Sequence, residues 1–355
     1  MDLPGQSSRS AIPANADPLV RWLYGVAALV VAIVVVGGLT RITESGLSIT
    51  QWKPVTGVLP PLSEAQWQAE FEAYKQIGQY IKVNGPAGMS LADYKFIYFW
   101  EWIHRLLGRV IGVAFALPLA WFWLRRRIPP GYKPRLLLLL ALGGLQGVIG
   151  WWMVSSGLGA DAGDRVDPLR LATHLMVALI TLGALVWTAL DLKCHGQSRP
   201  AARLSGFSAV VLAMLALQLL LGALVAGNRA GTHGGAGWFN WDAWPLMQGR
   251  FFPEGVNWAS GLAHAAIYDG FLVHFLHRWW AWIVAAALVV MGRKLRQAQR
   301  RDISVALHSA FGAQILLGIA AIWSAMAPWL AVAHQLVGAL LVIATVWGAH
   351  ALGRR

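Results

Sequence analysis

Hydrophobic and polar positions alternate along this chain in long blocks, not in the short periods of a soluble fold. Eight apolar runs stand out, near 20–40, 97–124, 135–156, 169–191, 204–227, 270–292, 303–324 and 328–350. Each is about 20 residues long, the length that crosses a bilayer as a helix. The pattern predicts an all-α integral membrane protein with eight transmembrane helices. Between the runs the polar stretches are short, with two exceptions. The segment 41–96 carries Ser63-Glu64-Ala65-Gln66, a capping-box spacing. Trp67, Phe71 and Tyr74 follow on one helical face, which predicts a short amphipathic helix on the surface or over the bundle. The segment 228–269 is rich in Gly and Trp (GGAGWFNWDAWPL). Both segments are candidates either to cover a cofactor site or to anchor aromatic rings at the interface.

Composition agrees. The chain has 355 residues, is 57% hydrophobic and only 13% charged, with mean hydropathy +0.53, against about a quarter charged in soluble domains. The formal net charge is +13. Its Lys and Arg residues cluster in short links, which reads as topogenic charge and not as a nucleic-acid surface. The link after the second run holds Arg125, Arg126, Arg127, Lys133 and Arg135, and the link after the sixth holds Arg293, Lys294, Arg296, Arg300 and Arg301. These links share one side, so both termini are expected in the cytoplasm of a bacterium, with the protein in its inner (plasma) membrane; a mitochondrial protein would place them in the matrix. Residues 1–19 are expected to be a flexible cytoplasmic segment. The first run lacks a small-residue cleavage site and reads as a retained helix. The single cysteine, Cys194, excludes an internal disulfide and a cysteine-based metal cluster.

The chain also resembles itself. WEWIHRLLGRVIG in the second run aligns with HFLHRWWAWIV in the sixth, and THLMVALITLGALVW in the fourth with AHQLVGALLVIATVW in the eighth. GLQGVIGWWMVSSG in the third aligns with GAQILLGIAAIWSA in the seventh, setting Gln146 against Gln314. The expected architecture is two pseudo-symmetric four-helix bundles, 20–191 and 204–355, joined by an inner linker at 192–203. An even number of spans per copy gives both copies the same topology, related by an axis along the membrane normal.

The alignment singles out four of ten histidines: His104, His174, His277 and His334. Each lies a few residues from the outer end of its run, roughly 10 Å deep at the helical rise. Imidazoles facing one another across a bundle suit the axial positions of haem iron, whereas zinc takes three or four ligands close together. The alternative for any one of them is a hydrogen-bonded core residue. His195, His350, His308, His233 and His264 are expected to be solvated or interfacial. His274, one turn before His277, occupies the place that Glu101 takes before His104. A carboxylate there can stabilise developing positive charge or move protons. Arg105, Arg278, Arg41 and Arg229 are candidates for haem propionate contacts; for Arg105 and Arg278 the competing reading is snorkelling to lipid headgroups.

Five stretches carry a resemblance to a known family: GGLTRITESGLSITQWKPVTGVLPPL at 37–62, FWEWIHRLLGR at 99–109, THLMVAL at 173–179, FLVHFLHRWWAW at 271–282 and AVAHQLVGALL at 331–341. The chain resembles haem A synthase of the proteobacterial and mitochondrial type over nearly its whole length. The resemblance implies oxidation of the C8 methyl of haem O to a formyl, giving haem A for cytochrome oxidase. It implies His104 and His174 as ligands of substrate haem O, Glu101 as the catalytic carboxylate, and His277 and His334 as ligands of a resident haem b, with the haem sites toward the outer face. It also implies a membrane electron donor; haem O synthase, cytochrome oxidase assembly factors and a second copy of the chain are further candidate partners. Another branch of the family has a cysteine pair in an outer loop, and this chain has none there. Two histidines leave iron no open position for oxygen, so either one ligand leaves in turnover or Glu101 stabilises a cation that water traps. The rival readings are a di-haem b-type electron carrier, with the same four histidines, and a repeat-built transporter.

Overall fold

The computed structural model describes residues 16–197 and 199–354. Its helices are α1 (Ala16–Ile42), α2 (Glu64–Tyr74), α3 (Leu91–Leu124), α4 (Lys133–Val154), α5 (Pro168–His195), α6 (Gly206–Gly227), α7 (Gly261–Tyr268), α8 (Gly270–Gln297), α9 (Arg301–Trp323) and α10 (Pro328–Leu352). All but α2 and α7 are long and apolar enough to cross a membrane, eight in all. The protein is a multi-pass membrane protein. Residues 1–15 of the expected flexible segment lie outside the described residues. Its last four residues do not fit that expectation, because α1 already begins at Ala16; Pro18 sits in the first turn, where a missing N–H costs no helical bond.

Local chemistry sets the helix starts. Ser63 and Gln66 form a reciprocal capping box at α2, as their spacing predicted. Ser90 and Asp93 form another at α3. The side chains of Asp167, Ser205 and Asp269 cap α5, α6 and α8. The box at Ser90 corrects the second span, which starts at 91 and not 97. At 34 residues α3 is about 50 Å long, well beyond the ~30 Å hydrocarbon thickness. Its first turns carry Asp93 and Lys95, which hid them from a hydropathy reading. They pack instead on α2: the Phe71 ring stacks on Tyr94 at 4.9 Å, and Tyr74 lies 5.2 Å from Tyr94. Consequently His104 sits more than three turns into its helix, whereas His174, His277 and His334 lie about two turns in.

In the first half, α1 packs on α3, α3 on α4, α4 on α5 and α5 on α1; in the second, α6 packs on α8, α8 on α9, α9 on α10 and α10 on α6. Across the seam, α1 and α5 pack on α10, and α5 on α6. One continuous core crosses that seam, containing Leu23, Leu182, Leu185, Leu288, Met291 and Leu307. Leu117, Leu138, Ile180 and Leu316 are exposed on the outside of the helices, where lipid tails replace water as the contact.

At the face carrying the basic links, Asp191 ties four segments together. It is fully buried. It accepts from Arg135 of α4 at 2.6 Å, from the Ala202 N–H at 3.0 Å, and pairs with His350 of α10 at 2.9 Å. His350 is therefore a buried seam residue and not a solvated one, because α10 packs against α5. Replacing Asp191 by alanine leaves Arg135 and His350 without their anion. Removing one partner of such a buried pair costs roughly 3 kcal/mol, so the thermal midpoint of the purified protein is expected to fall clearly. An unchanged midpoint would show that the cluster holds nothing together.

Candidate functional site

Each of the four histidines lies against a glycine of a neighbouring helix in its own half. A Cβ added at Gly37 of α1 would meet Cε1 of His104 at 2.9 Å, and one at Gly222 of α6 would meet Cε1 of His277 at 2.9 Å. Likewise Gly150 of α4 faces His174 at 3.2 Å, and Gly318 of α9 faces His334 at 3.1 Å. All four imidazoles are half-buried. The Nδ1 atoms of His104, His174 and His334 are nonetheless enclosed and without a hydrogen-bond partner, so the accessible part of each side chain lies elsewhere. The His277 and His334 rings stand 6.5 Å apart between centroids, at 80°. His277 and His334 are thus the pair that would hold a haem iron in this half.

Glutamines separate the halves. Gln218 donates to Nδ1 of His277 at 3.0 Å and to its carbonyl at 3.1 Å. Gln314 reaches Nε2 of His334 at 3.1 Å, whereas the carboxamide nitrogen of Gln146 is buried and unpaired. Among the described residues no group of three or more His, Cys, Asp or Glu converges as metal ligands would. The donor set is paired imidazole, which fits haem and not a structural zinc.

Glu101 is buried one turn from His104. Oε2 accepts from the Ser48 hydroxyl and the Ile49 N–H, both at 2.7 Å. Oε1 accepts from Arg105 at 2.5 and 3.1 Å. Both carboxylate oxygens are thus engaged, two of the contacts coming from the one guanidinium. Arg105 also donates to the Ile49 carbonyl at 2.9 Å and the Gln51 carbonyl at 3.2 Å. The second half repeats this plan with a neutral acceptor. Arg278 donates through Nε to Nε2 of His274 at 3.0 Å and through Nη1 to the carbonyls of Ala243 and Leu246 at 2.7 and 2.9 Å. Both arginines thus staple an interhelical segment to a helix that carries one of the four histidines. Arg278 is buried, with Nη2 unpaired, so the snorkelling alternative fails for it.

Arg41 and Arg229 meet at the seam, and each reaches into the other half. Arg41 donates to the Ala226 carbonyl at 2.8 Å, while Arg229 donates to Glu44 at 2.5 Å and to Asp164. Burial alone would raise the Asp164 carboxyl, but the hydrogen bond and charge of Arg229 outweigh it and hold it below the ordinary carboxylate range. Gln335, next to His334, also crosses. Its Nε2 donates to the Val34 carbonyl of α1 at 2.8 Å, and its Oε1 fills the space a Cβ at Gly38 would take. The adjacent pair Gly37–Gly38 therefore serves both halves, one glycine against His104 and the other against Gln335. Nothing in the local sequence around Gln335 signals that role.

The model of the family described as cytochrome oxidase assembly protein matches residues 20–346, a stretch containing all four histidines and Glu101. A relative from Novosphingobium aromaticivorans named heme A synthase is 63% identical over 352 residues, 99% of each chain. Relatives of the same name from Erythrobacter litoralis and Sphingopyxis alaskensis are 55% and 51% identical, over 94% and 98% of this chain and 97% and 96% of their own. The chain belongs to the haem A synthase family. The five motifs quoted from the sequence pointed to it. In this family member the remaining histidines divide. His264 and His195 are exposed, in line with expectation. His233 packs edge-on against Phe271 at 4.9 Å, and His308 bonds the Ser304 carbonyl at 2.6 Å. Of the outer segments, 43–90 packs on α3 through α2. The segment 228–260 buries Ala243 and Met247 while exposing Trp238, Trp241 and Trp258.

Proposed function

We propose that this protein is a haem A synthase of a bacterial plasma membrane, oxidising the C8 methyl of haem O to the formyl of haem A. The observation that carries the reading is the same histidine-on-glycine packing at four places, two in each half, in a chain 63% identical to a heme A synthase. In the proposed division, residues 20–191 form the substrate half and 204–355 the electron-carrying half, related by a two-fold axis along the membrane normal. His104 and His174 bind the iron of substrate haem O. His277 and His334 would hold a haem b, which supplies one-electron transfer when bound. Haem O is the substrate, a membrane electron donor the expected partner. Both termini lie in the cytoplasm, because the basic links share that face, and the histidines stand toward the opposite side.

Glu101 acts in this scheme by charge. Its four hydrogen bonds fix it one turn from His104. A fixed negative group there stabilises positive charge developing on the substrate. The Ser48 and Ile49 contacts hold the carboxylate still, and Arg105 holds the segment supplying them. His274 provides no such charge beside His277, which suits a site that only carries electrons. Arg278 through Nη2 and Arg229 through Nε each keep an unpaired donor for a haem propionate. Arg105 reaches a propionate only by exchanging partners it already holds.

Co-expression with a haem O supply tests the reading, with extracted pigments separated by chromatography. Haem A is expected. Haem b alone, with haem O available, would identify a di-haem electron carrier instead. The glycine contacts add a graded prediction. Gly37→Ala and Gly222→Ala push a methyl into an imidazole edge, and overpacking of about 1–3 kcal/mol lowers occupancy of that half roughly tenfold or more. Gly150→Ala and Gly318→Ala, with more room, are expected to cost less. Haem content measured in each variant checks the order.

A further inference from the structure

A second site lies at the basic face, away from the histidines. A cavity of about 210 Å³ opens where α5 of the first half meets α9 and α10 of the second. Three cations line it, Lys193, Arg300 and Arg354, against one carboxylate, Asp302. Arg300 is committed: it donates to Asp302 at 2.9 and 3.1 Å and lies 5.9 Å over the Trp347 ring. Lys193 and Arg354 form no ion pair and no side-chain hydrogen bond among the described residues. Two unpaired cations facing one confined space repel each other, and an anion between them turns that repulsion into attraction. The Gln197 carboxamide lines the same cavity, and Leu190, Trp347 and Ala351 supply an apolar wall beside the charges. His350 also lines the cavity and is paired with Asp191, which is itself not among the lining residues.

Charge on one side and apolar surface on the other match an amphiphile with an anionic phosphate. The geometry points to a phosphate site in this seam, held by Lys193 and Arg354, that seats the headgroup of an anionic phospholipid with its glycerol against Trp347. Basic pockets between transmembrane helices on the positive face take such headgroups. Because α5 and α10 belong to different halves, a lipid seated there braces the seam from the same end as the Asp191 cluster.

The test uses the full chain, delipidated in detergent and offered phosphatidylglycerol or phosphatidylcholine, with retained lipid counted by native mass spectrometry. Phosphatidylglycerol is expected to be retained selectively. Each cation near a membrane surface contributes about fivefold in binding, so Lys193→Gln with Arg354→Gln is expected to lower retention roughly twentyfold. The pair Arg125→Gln with Arg126→Gln, also in a basic link but outside the cavity, is expected to change nothing. Lys193→Arg with Arg354→Lys keeps the charge and is expected to retain the lipid, which separates charge from misfolding. Inorganic phosphate distinguishes the source. If it raises the thermal midpoint of the wild type but not of the Gln pair, and phosphatidylglycerol shows no selective retention, the anion is free phosphate and the headgroup assignment is overturned. Equal retention of both lipids by wild type and Gln pair, with no effect of phosphate, overturns the site itself.

Discussion

Replacing His277 by alanine is expected to empty the second half of haem b and stop haem O conversion, while the first half still binds haem O. The imidazole is one of two that face each other at 6.5 Å, and the remaining His334 supplies one ligand only. Gln218 loses the ring as a partner in the same change but keeps the backbone carbonyl of residue 277 at 3.1 Å. His104→Ala is expected to do the converse, losing substrate binding and keeping the resident haem b. Pigment analysis of the two purified variants, with protein yield as the control for folding, separates them. Loss of the same pigment from both would show that the halves do not divide the work.

The second large effect is expected at Glu101. Glu101→Gln keeps the size of the side chain and removes its charge. Removing one preorganised electrostatic group from a reacting centre typically costs about 10²–10³ in rate, and conversion is expected to fall by that order while haem content holds. Glu101→Ala is a poorer probe. It strips Ser48, Ile49 and Arg105 of a common acceptor, and deleting one member of a buried pair destabilises by about 3–5 kcal/mol. A merely structural Glu101 would show the reverse pattern: near-normal turnover per bound haem in the glutamine variant, and loss of protein in the alanine variant. Full turnover in both would remove Glu101 from the chemistry altogether.

These effects take place in halves that are mechanically joined. Arg41 and Arg229 are each anchored on the half they do not belong to, and Gln335 ties the helix of His334 to the helix whose Gly37 supports His104. The helix of His334 and the helix that packs on His104 are thereby in direct contact.

How much of this was legible beforehand depends on the range of the interaction. Hydropathy located all eight spans, because a helix in lipid must be apolar along its whole length and the signal is local. The capping box at Ser63 was legible for the same reason, whereas the pairing of Arg105 with Glu101 was not, since the sequence alone pointed Arg105 to a propionate or headgroup contact. Internal repetition picked four histidines from ten, and all four share the same packing on a neighbouring glycine. The start of α3 was missed, because its outer turns are polar and are held by α2, not by lipid. Partners distant along the chain were also beyond reach: Glu101 with Ile49, Asp191 with His350, Val34 with Gln335. The amino-acid order by itself determined which segments are membrane helices, which histidines are alike, and that Glu101 has no counterpart in the second half. Only the tertiary structure decided what surrounds them. Helix packing chooses which glycine meets which imidazole and which carbonyl receives which arginine, and those choices depend on contacts between residues that the chain keeps tens to hundreds of positions apart.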